Sequence, residues 1–180
     1  MLASDVTLRI TEIFCSLQGE SSLAGERTTF VRLTGCPLRC VYCDSAYAFQ
    51  GGEIQTLVEV VATVEQLGAK HVCVTGGEPL AQPGCINLLA VLCDRGYNVS
   101  LETSGAMDIA EVDHRIKRVV DLKTPSSGEV EKNRYQNIGL LTKNDELKFV
   151  LADRADYDWA CEQIIHYDLH DKVGHLLFSP

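Results

Sequence analysis

Three cysteines, Cys36, Cys40 and Cys43, crowd into the stretch GCPLRCVYCDS in a C-x₃-C-x₂-C spacing. Thiolates are soft ligands that select zinc or iron–sulfur clusters. Structural zinc sites usually carry two ligand pairs, and this chain has one compact group. His166 and His170 stand at helical spacing without a cysteine pair beside them. A cubane cluster ordinarily takes four cysteines, so three in one loop would leave one iron open to another ligand. Spacing favours iron–sulfur, with zinc and a metal-free loop as the alternatives. The other five cysteines, Cys15, Cys73, Cys85, Cys93 and Cys161, are scattered among mostly apolar neighbours and read as small buried hydrophobes.

The elements that must position this loop alternate along the chain. Apolar, β-branched runs over 28–35, 71–79, 98–105, 118–128, 146–151 and 175–180 read as six strands, each running into a polar or glycine-rich loop. Residues 56–68, 85–95 and 153–166 have helical spacing; the first begins at a threonine suited to an N-cap, and Trp159 falls on the apolar side of the third. Strand–helix repetition favours a parallel sheet or barrel with right-handed crossovers. The motifs GCPLRC, TGGEP, ETSG, KTPSSG and FSP all follow strands. Loops at the C-terminal ends of parallel strands converge on one face, where sites form.

Composition bounds the function. With 180 residues, 46% of them hydrophobic, the chain can bury a substantial core. No apolar run reaches the length of a membrane span. The start MLASDVTLRITEIF has neither the basic head nor the apolar core of a secretion signal, so the expected location is the cytoplasm. There, clustered cysteines serve metals or catalysis rather than disulfides. A net charge of −9 argues against binding nucleic acid.

C-x₃-C-x-aromatic-C, with Tyr42 as the aromatic, and GGEP at 76–79 together resemble the radical S-adenosylmethionine (SAM) enzymes. The resemblance implies a 4Fe–4S cluster on Cys36, Cys40 and Cys43, whose fourth iron chelates SAM. Reduction then cleaves SAM to a 5′-deoxyadenosyl radical. The longer stretch FCSLQGESSLAGERTTFVRLTGCPLRCVYCDSAY, with ETSG and DLKTPSSG downstream, is similar to the 7-carboxy-7-deazaguanine synthase family from about residue 14 onward. That family converts 6-carboxy-5,6,7,8-tetrahydropterin to 7-carboxy-7-deazaguanine with loss of ammonia, in the biosynthesis of queuosine and other 7-deazapurines. It implies an α/β fold, a shortened TIM-like barrel of about six parallel strands. It also implies a homodimer, Mg²⁺, and an electron donor such as flavodoxin or ferredoxin.

Carried over by motif, Leu17, Gln18, Gly19, Arg32 and Thr75 are expected at the substrate; a guanidinium suits a carboxylate because its fork grips two oxygens. Tyr42, Gly76, Gly77, Glu78, Ser104, Asp121, Leu122 and Lys123 are expected at SAM, with Phe178, Ser179 and Pro180 beside them. Ser45 stands where the family more often has the threonine whose hydroxyl meets Mg²⁺. Glu20, Lys123 and Lys148 also admit plain roles in loops and ion pairs, Asp44 reads as a loop cap, and the five histidines form no constellation. Two departures stand out. The family's QGEG is QGES here, so Ser21 must take up the conformation a glycine usually adopts. Residues 1–180 are expected to form a single radical SAM domain that stops short of the family's usual tail. The competing functions are an activase placing a glycyl radical on a partner enzyme and a non-catalytic metal-binding protein.

Overall fold

The computed structural model describes residues 6–180; the part of the secretion-signal reading that rests on residues 1–5 lies outside the described residues. Strands are β1 (Thr7–Leu17), β2 (Arg27–Leu33), β3 (Glu53–Thr56), β4 (His71–Gly76), β5 (Asn98–Thr103), β6 (Lys117–Asp121), β7 (Glu146–Val150) and β8 (His175–Ser179). Helices are α1 (Leu57–Leu67), α2 (Gly84–Asp94), α3 (Arg154–His166) and α4 (Leu169–Lys172). They build one sheet in the order β3-β1-β2-β4-β5-β6-β7-β8. From β2 to β8 every neighbouring pair is parallel, so the six expected parallel strands are all present. Among the described residues the sheet does not close, as a partial TIM-like barrel requires. Among the described residues no helix is long and apolar enough to cross a membrane.

Local signals explain the outer layer. Thr56 caps α1 in a reciprocal capping box with Glu59, and Gly68 ends it in a left-handed conformation. One stripe of α1, Leu57, Val60, Val61 and Val64, and one of α2, Leu88, Leu89 and Leu92, pack into the same core as Val31, Leu33, Val72 and Val74 of the sheet. Trp159 on α3 meets Phe149 of β7 edge to face, with ring centroids 6.4 Å apart. Cys73 and Cys85 are fully buried as expected, whereas Cys15, Cys93 and Cys161 are only half-buried.

The antiparallel edge, β1 and β3, was not legible as strand. β1 carries a bulge between Ile10 and Glu12: Ile10 lies opposite Leu33, yet Glu12 lies opposite Arg32. Side chains alternate with a period of two, so the extra residue at Thr11 flips the faces of everything beyond it. Leu8 and Ile10 sit in the core under the helices. After the bulge, Phe14 and Ser16 line the concave side of the sheet instead.

From the end of β1 the chain crosses that concave side. Gln18 Nε2 donates to Glu102 of β5 (3.2 Å), Lys148 of β7 pairs with Glu20 (2.6 Å), and the Ser22 N–H and hydroxyl both donate to Glu146. Ser21 makes the turn at φ 65°, the left-handed region its departure from glycine required it to accept. Its hydroxyl accepts the Leu23 N–H at 3.1 Å, offsetting part of the roughly 1–2 kcal/mol that this conformation costs a residue with a Cβ.

Glu146 anchors the crossing. Burial opposes its charge, but donors from Ser22 and the Lys117 ammonium at 3.0 Å outweigh it and hold the carboxyl below its ordinary pKa. A carboxyl depressed in the fold adds stability above its unfolded-state pKa and loses it as pH falls through the folded value. Glu146→Gln, which cannot titrate, should therefore flatten the acid limb of the stability–pH curve. Urea midpoints from neutral pH down to about pH 3, around the carboxylate range, check this.

Candidate active site

A cavity of about 580 Å³ opens on the concave side of the sheet, within the size range of small-molecule sites. Its walls come from the loops after β2, β4, β5, β6 and β8, together with the crossing after β1.

Cys36, Cys40 and Cys43 line one wall as free, half-buried thiols. The loop that carries them is braced from outside. The Val41 N–H donates to the Ser127 carbonyl at 2.9 Å, and the Arg39 guanidinium lies 4.3 Å from the Phe49 ring centroid. Burial pushes the Cys36 and Cys40 thiols up from their ordinary values. Among the described residues no three His, Cys, Asp or Glu side chains converge to grip a single ion. Three separate thiols on one wall fit a multi-iron cluster, in which each thiolate holds its own iron.

The glycine turn after β4 is pressed against this loop. A Cβ on Gly77 would meet the Gly35 carbonyl oxygen at 2.3 Å, and one on Gly76 (φ 145°) would meet that of Leu33 at 2.2 Å. Only glycine fits at such an approach. The N–H groups of Gly77 and Glu78 donate to the Leu33 and Gly35 carbonyls (3.2 and 2.8 Å). These N–H groups are spent, so the turn offers a ligand carbonyl oxygen, the right partner for an ammonium such as that of SAM. Glu78 itself does not line the cavity: its fully buried carboxylate accepts from Leu80 N–H (3.0 Å), Thr103 hydroxyl (2.9 Å), and the N–H (2.7 Å) and hydroxyl of Ser104. It ties the turn to the end of β5.

On the same side, Tyr42, Ser104, Asp121, Lys123, Ser179 and Pro180 line the cavity. Asp121 Oδ2 takes Lys123 at 2.9 Å and Lys148 at 3.7 Å, while its Oδ1 is buried with no hydrogen-bond partner among the described residues. A buried acceptor without a donor is costly. For both lysines, burial opposes the charge, but Asp121, joined at Lys148 by Glu20, outweighs it and holds the ammonium above its ordinary pKa. Leu122 and Phe178 point elsewhere. Leu122 is core, and Phe178 stacks outward on Phe149, 5.7 Å between centroids.

Leu17, Gln18, Gly19, Arg32 and Thr75 all line the remaining part of the cavity. Gln18 and Thr75 converge on Glu102, which accepts from them at 3.2 and 2.9 Å. Sequence reasoning quoted ETSG but did not single out Glu102; its position as the last charged residue before the loop was the available signal. Glu20 and Lys148, read as having plain alternatives, also line the cavity as an ion pair. Ser45 lines the rim and donates its hydroxyl proton to Asp44 at 2.8 Å. That leaves the Ser45 oxygen lone pairs, with an adjacent carboxylate, for a hard cation such as Mg²⁺.

Comparison with known proteins decides the family. Residues 30–165 match the model of the radical SAM superfamily. The chain is 45% identical over 175 residues to the 7-carboxy-7-deazaguanine synthase of Koribacter versatilis, covering 96% of this chain and 77% of that protein. It is 42% identical to the one from Chlorobaculum tepidum, covering 99% and 82%. The chain belongs to the radical SAM superfamily, in the 7-carboxy-7-deazaguanine synthase family. Among solved structures, QueE from Escherichia coli superposes with a TM-score of 0.77 at 22% identity, covering 91% of this chain and 80% of that one, a likeness of fold. Membership brings the 4Fe–4S cluster and SAM with it, and the donor sets described here suit both.

Glu78→Ala would strand four donors that now share one carboxylate. It should cost about 1–3 kcal/mol of stability and weaken SAM binding by releasing the Gly76–Gly77 turn. Urea denaturation and SAM titration of the reconstituted protein measure the two effects.

Proposed function

We propose that this protein is a lyase that converts 6-carboxy-5,6,7,8-tetrahydropterin to 7-carboxy-7-deazaguanine with release of ammonia, on the route to queuosine and related 7-deazapurines. The observation that carries the reading is a single cavity lined by the three cluster cysteines, the Gly76–Gly77 turn, the 17–19 segment and Arg32. Close relatives along nearly the whole chain bear the name of this activity. When bound, the cluster and SAM supply the radical that removes a hydrogen from the substrate. The chain's own residues do the rest by orientation and exclusion of water. Arg32 holds the substrate carboxylate, and Leu17, Gln18, Gly19 and Thr75 form the wall against which the pterin lies. Tyr42, Gly76, Gly77, Ser104, Asp121 and Lys123 receive SAM. Ser179 and Pro180 close its far side. The Ser45 hydroxyl would help to hold Mg²⁺, which would supply positive charge beside the substrate. Glu78, Leu122 and Phe178 meet SAM through their backbone, while the buried Glu78 carboxylate holds the surrounding loops.

Residues 1–180 are read as one radical SAM domain because a single sheet carries every described strand. Family resemblance supports a cytoplasmic homodimer reduced by flavodoxin or ferredoxin.

Anaerobic reconstitution should produce the optical and spin-resonance signature of a 4Fe–4S cluster, and turnover should yield one ammonia per deazapurine. A protein that cleaves SAM without forming deazapurine would overturn the reading. Arg32→Ala should raise KM for the pterin by about 10–100-fold, in line with the ~1.5–3 kcal/mol of a hydrogen bond to a charged group. Ser45→Ala should weaken the response to Mg²⁺ while iron content stays unchanged; an unaltered metal response would remove Ser45 from the site.

A further inference from the structure

Arg32 does not stand alone. Its Nε donates to Glu12 Oε1 at 2.7 Å, and the Tyr47 hydroxyl donates to the same oxygen at 2.8 Å. The guanidinium carbon lies 6.0 Å from the Phe14 ring centroid and 5.8 Å from that of Tyr47. One edge of the fork is thus fixed by Glu12, and aromatic rings flank the plane. No protein acceptor reaches either Nη among the described residues. We propose that Glu12 and Tyr47 are positioning residues that aim the Nη edge of Arg32 at the substrate carboxylate, and so confer selectivity for a carboxylated ligand. The inference rests on the function proposed above and adds two residues that lie outside the cavity lining.

Three features make the arrangement a built one. The β1 bulge exists at this point: without the extra residue at Thr11, Glu12 would share the face of Leu8 and Ile10 and enter the apolar core. The bulge instead sets Glu12 directly opposite Arg32, in line with the stacked cross-strand pair Phe14–Phe30, 5.1 Å between centroids. Bulges beside sites commonly re-aim a side chain in this way. Tyr47 comes from a separate element, the 3-10 turn Ala46–Phe49, whose N-cap is Ser45. Glu12 therefore joins the carboxylate-gripping arginine to the turn that carries the proposed Mg²⁺ hydroxyl. Partial burial opposes its charge, but Tyr47 and Arg32 outweigh it and hold the carboxyl below its ordinary pKa. It stays an acceptor at neutral pH.

A rotating guanidinium must lose freedom each time it binds, whereas one held at Nε presents its fork already ordered. The substrate carboxylate is attached to the carbon that loses hydrogen, so its aim also sets where that carbon lies. Loosening Arg32 should therefore weaken carboxylate recognition and uncouple SAM cleavage from product formation.

The test uses the cluster-reconstituted protein with SAM, unreduced, and measures binding of 7-carboxy-7-deazaguanine and of 7-deazaguanine, which lacks the carboxylate. Wild type should prefer the carboxylated ligand. Glu12→Ala should cut that preference about tenfold while leaving 7-deazaguanine affinity and iron content unchanged; Tyr47→Phe should cut it less. The double variant should be no worse than Glu12→Ala, because Tyr47 acts through Glu12. Under reduction, Glu12→Ala should form more 5′-deoxyadenosine per deazapurine than wild type. Glu12→Gln, which keeps an acceptor of the same shape, should recover part of the preference and covers the case in which Glu12→Ala fails to fold. If wild type discriminates and both Glu12 variants discriminate equally well, the positioning role is overturned. Tyr47→Phe effects that add to those of Glu12→Ala would overturn it as well. If wild type binds neither ligand, the proposed function itself fails.

Discussion

The site depends on one close backbone approach, where the turn after β4 presses against the first residues of the cluster loop. Gly77 N–H to Leu33 carbonyl and Glu78 N–H to Gly35 carbonyl join the two strand ends, at a separation no Cβ would allow. The Glu78 carboxylate then carries the link to the end of β5 through Thr103 and Ser104. Three loops that each follow a different strand are thereby locked into one body. The half-buried thiols, the glycine turn and Ser104 acquire fixed relative positions, which radical chemistry demands because an unguided radical attacks any nearby C–H bond.

Another part of the cavity lining is organised by charge. Lys148 lies between Glu20 on the crossing segment and Asp121 at the end of β6, and Asp121 also holds Lys123. Each charge has a partner, which is what allows such groups to stay within a largely enclosed space. Among the described residues one acceptor here, Asp121 Oδ1, is left without a partner. The same segment floors the barrel through Ser22 and Glu146. Binding surface and structural strap are thus one stretch of chain.

Much of this was legible without coordinates. Six parallel strands and three principal helices followed from apolar periodicity, capping residues and glycines, because those signals are local. The cluster loop and GGE turn were legible because their chemistry needs particular residue types at short spacing. The antiparallel edge was not. The bulge at Thr11 breaks the alternation that marks a strand, so TLRITEIFCSL carries two half-patterns of opposite phase. Motif did not tell that the Glu78 side chain lies in a buried network, that of Leu122 in the core and that of Phe178 against Phe149.

Sequence alone determined the class of chemistry: three thiolates, a glycine turn and a set of loops following strands. Tertiary structure alone decided which side chains of those motifs line the cavity and which hold the loops. It also revealed Glu102 between Gln18 and Thr75, and Glu12 with Tyr47 behind Arg32. These partners are separated by 20 to 84 residues in the chain. Their meeting depends on strand register and on one inserted residue, and neither leaves a local trace in residue type. Spacing can encode a metal loop because its ligands are neighbours in sequence, but an arginine's orientation is set by whichever strands fold beside it.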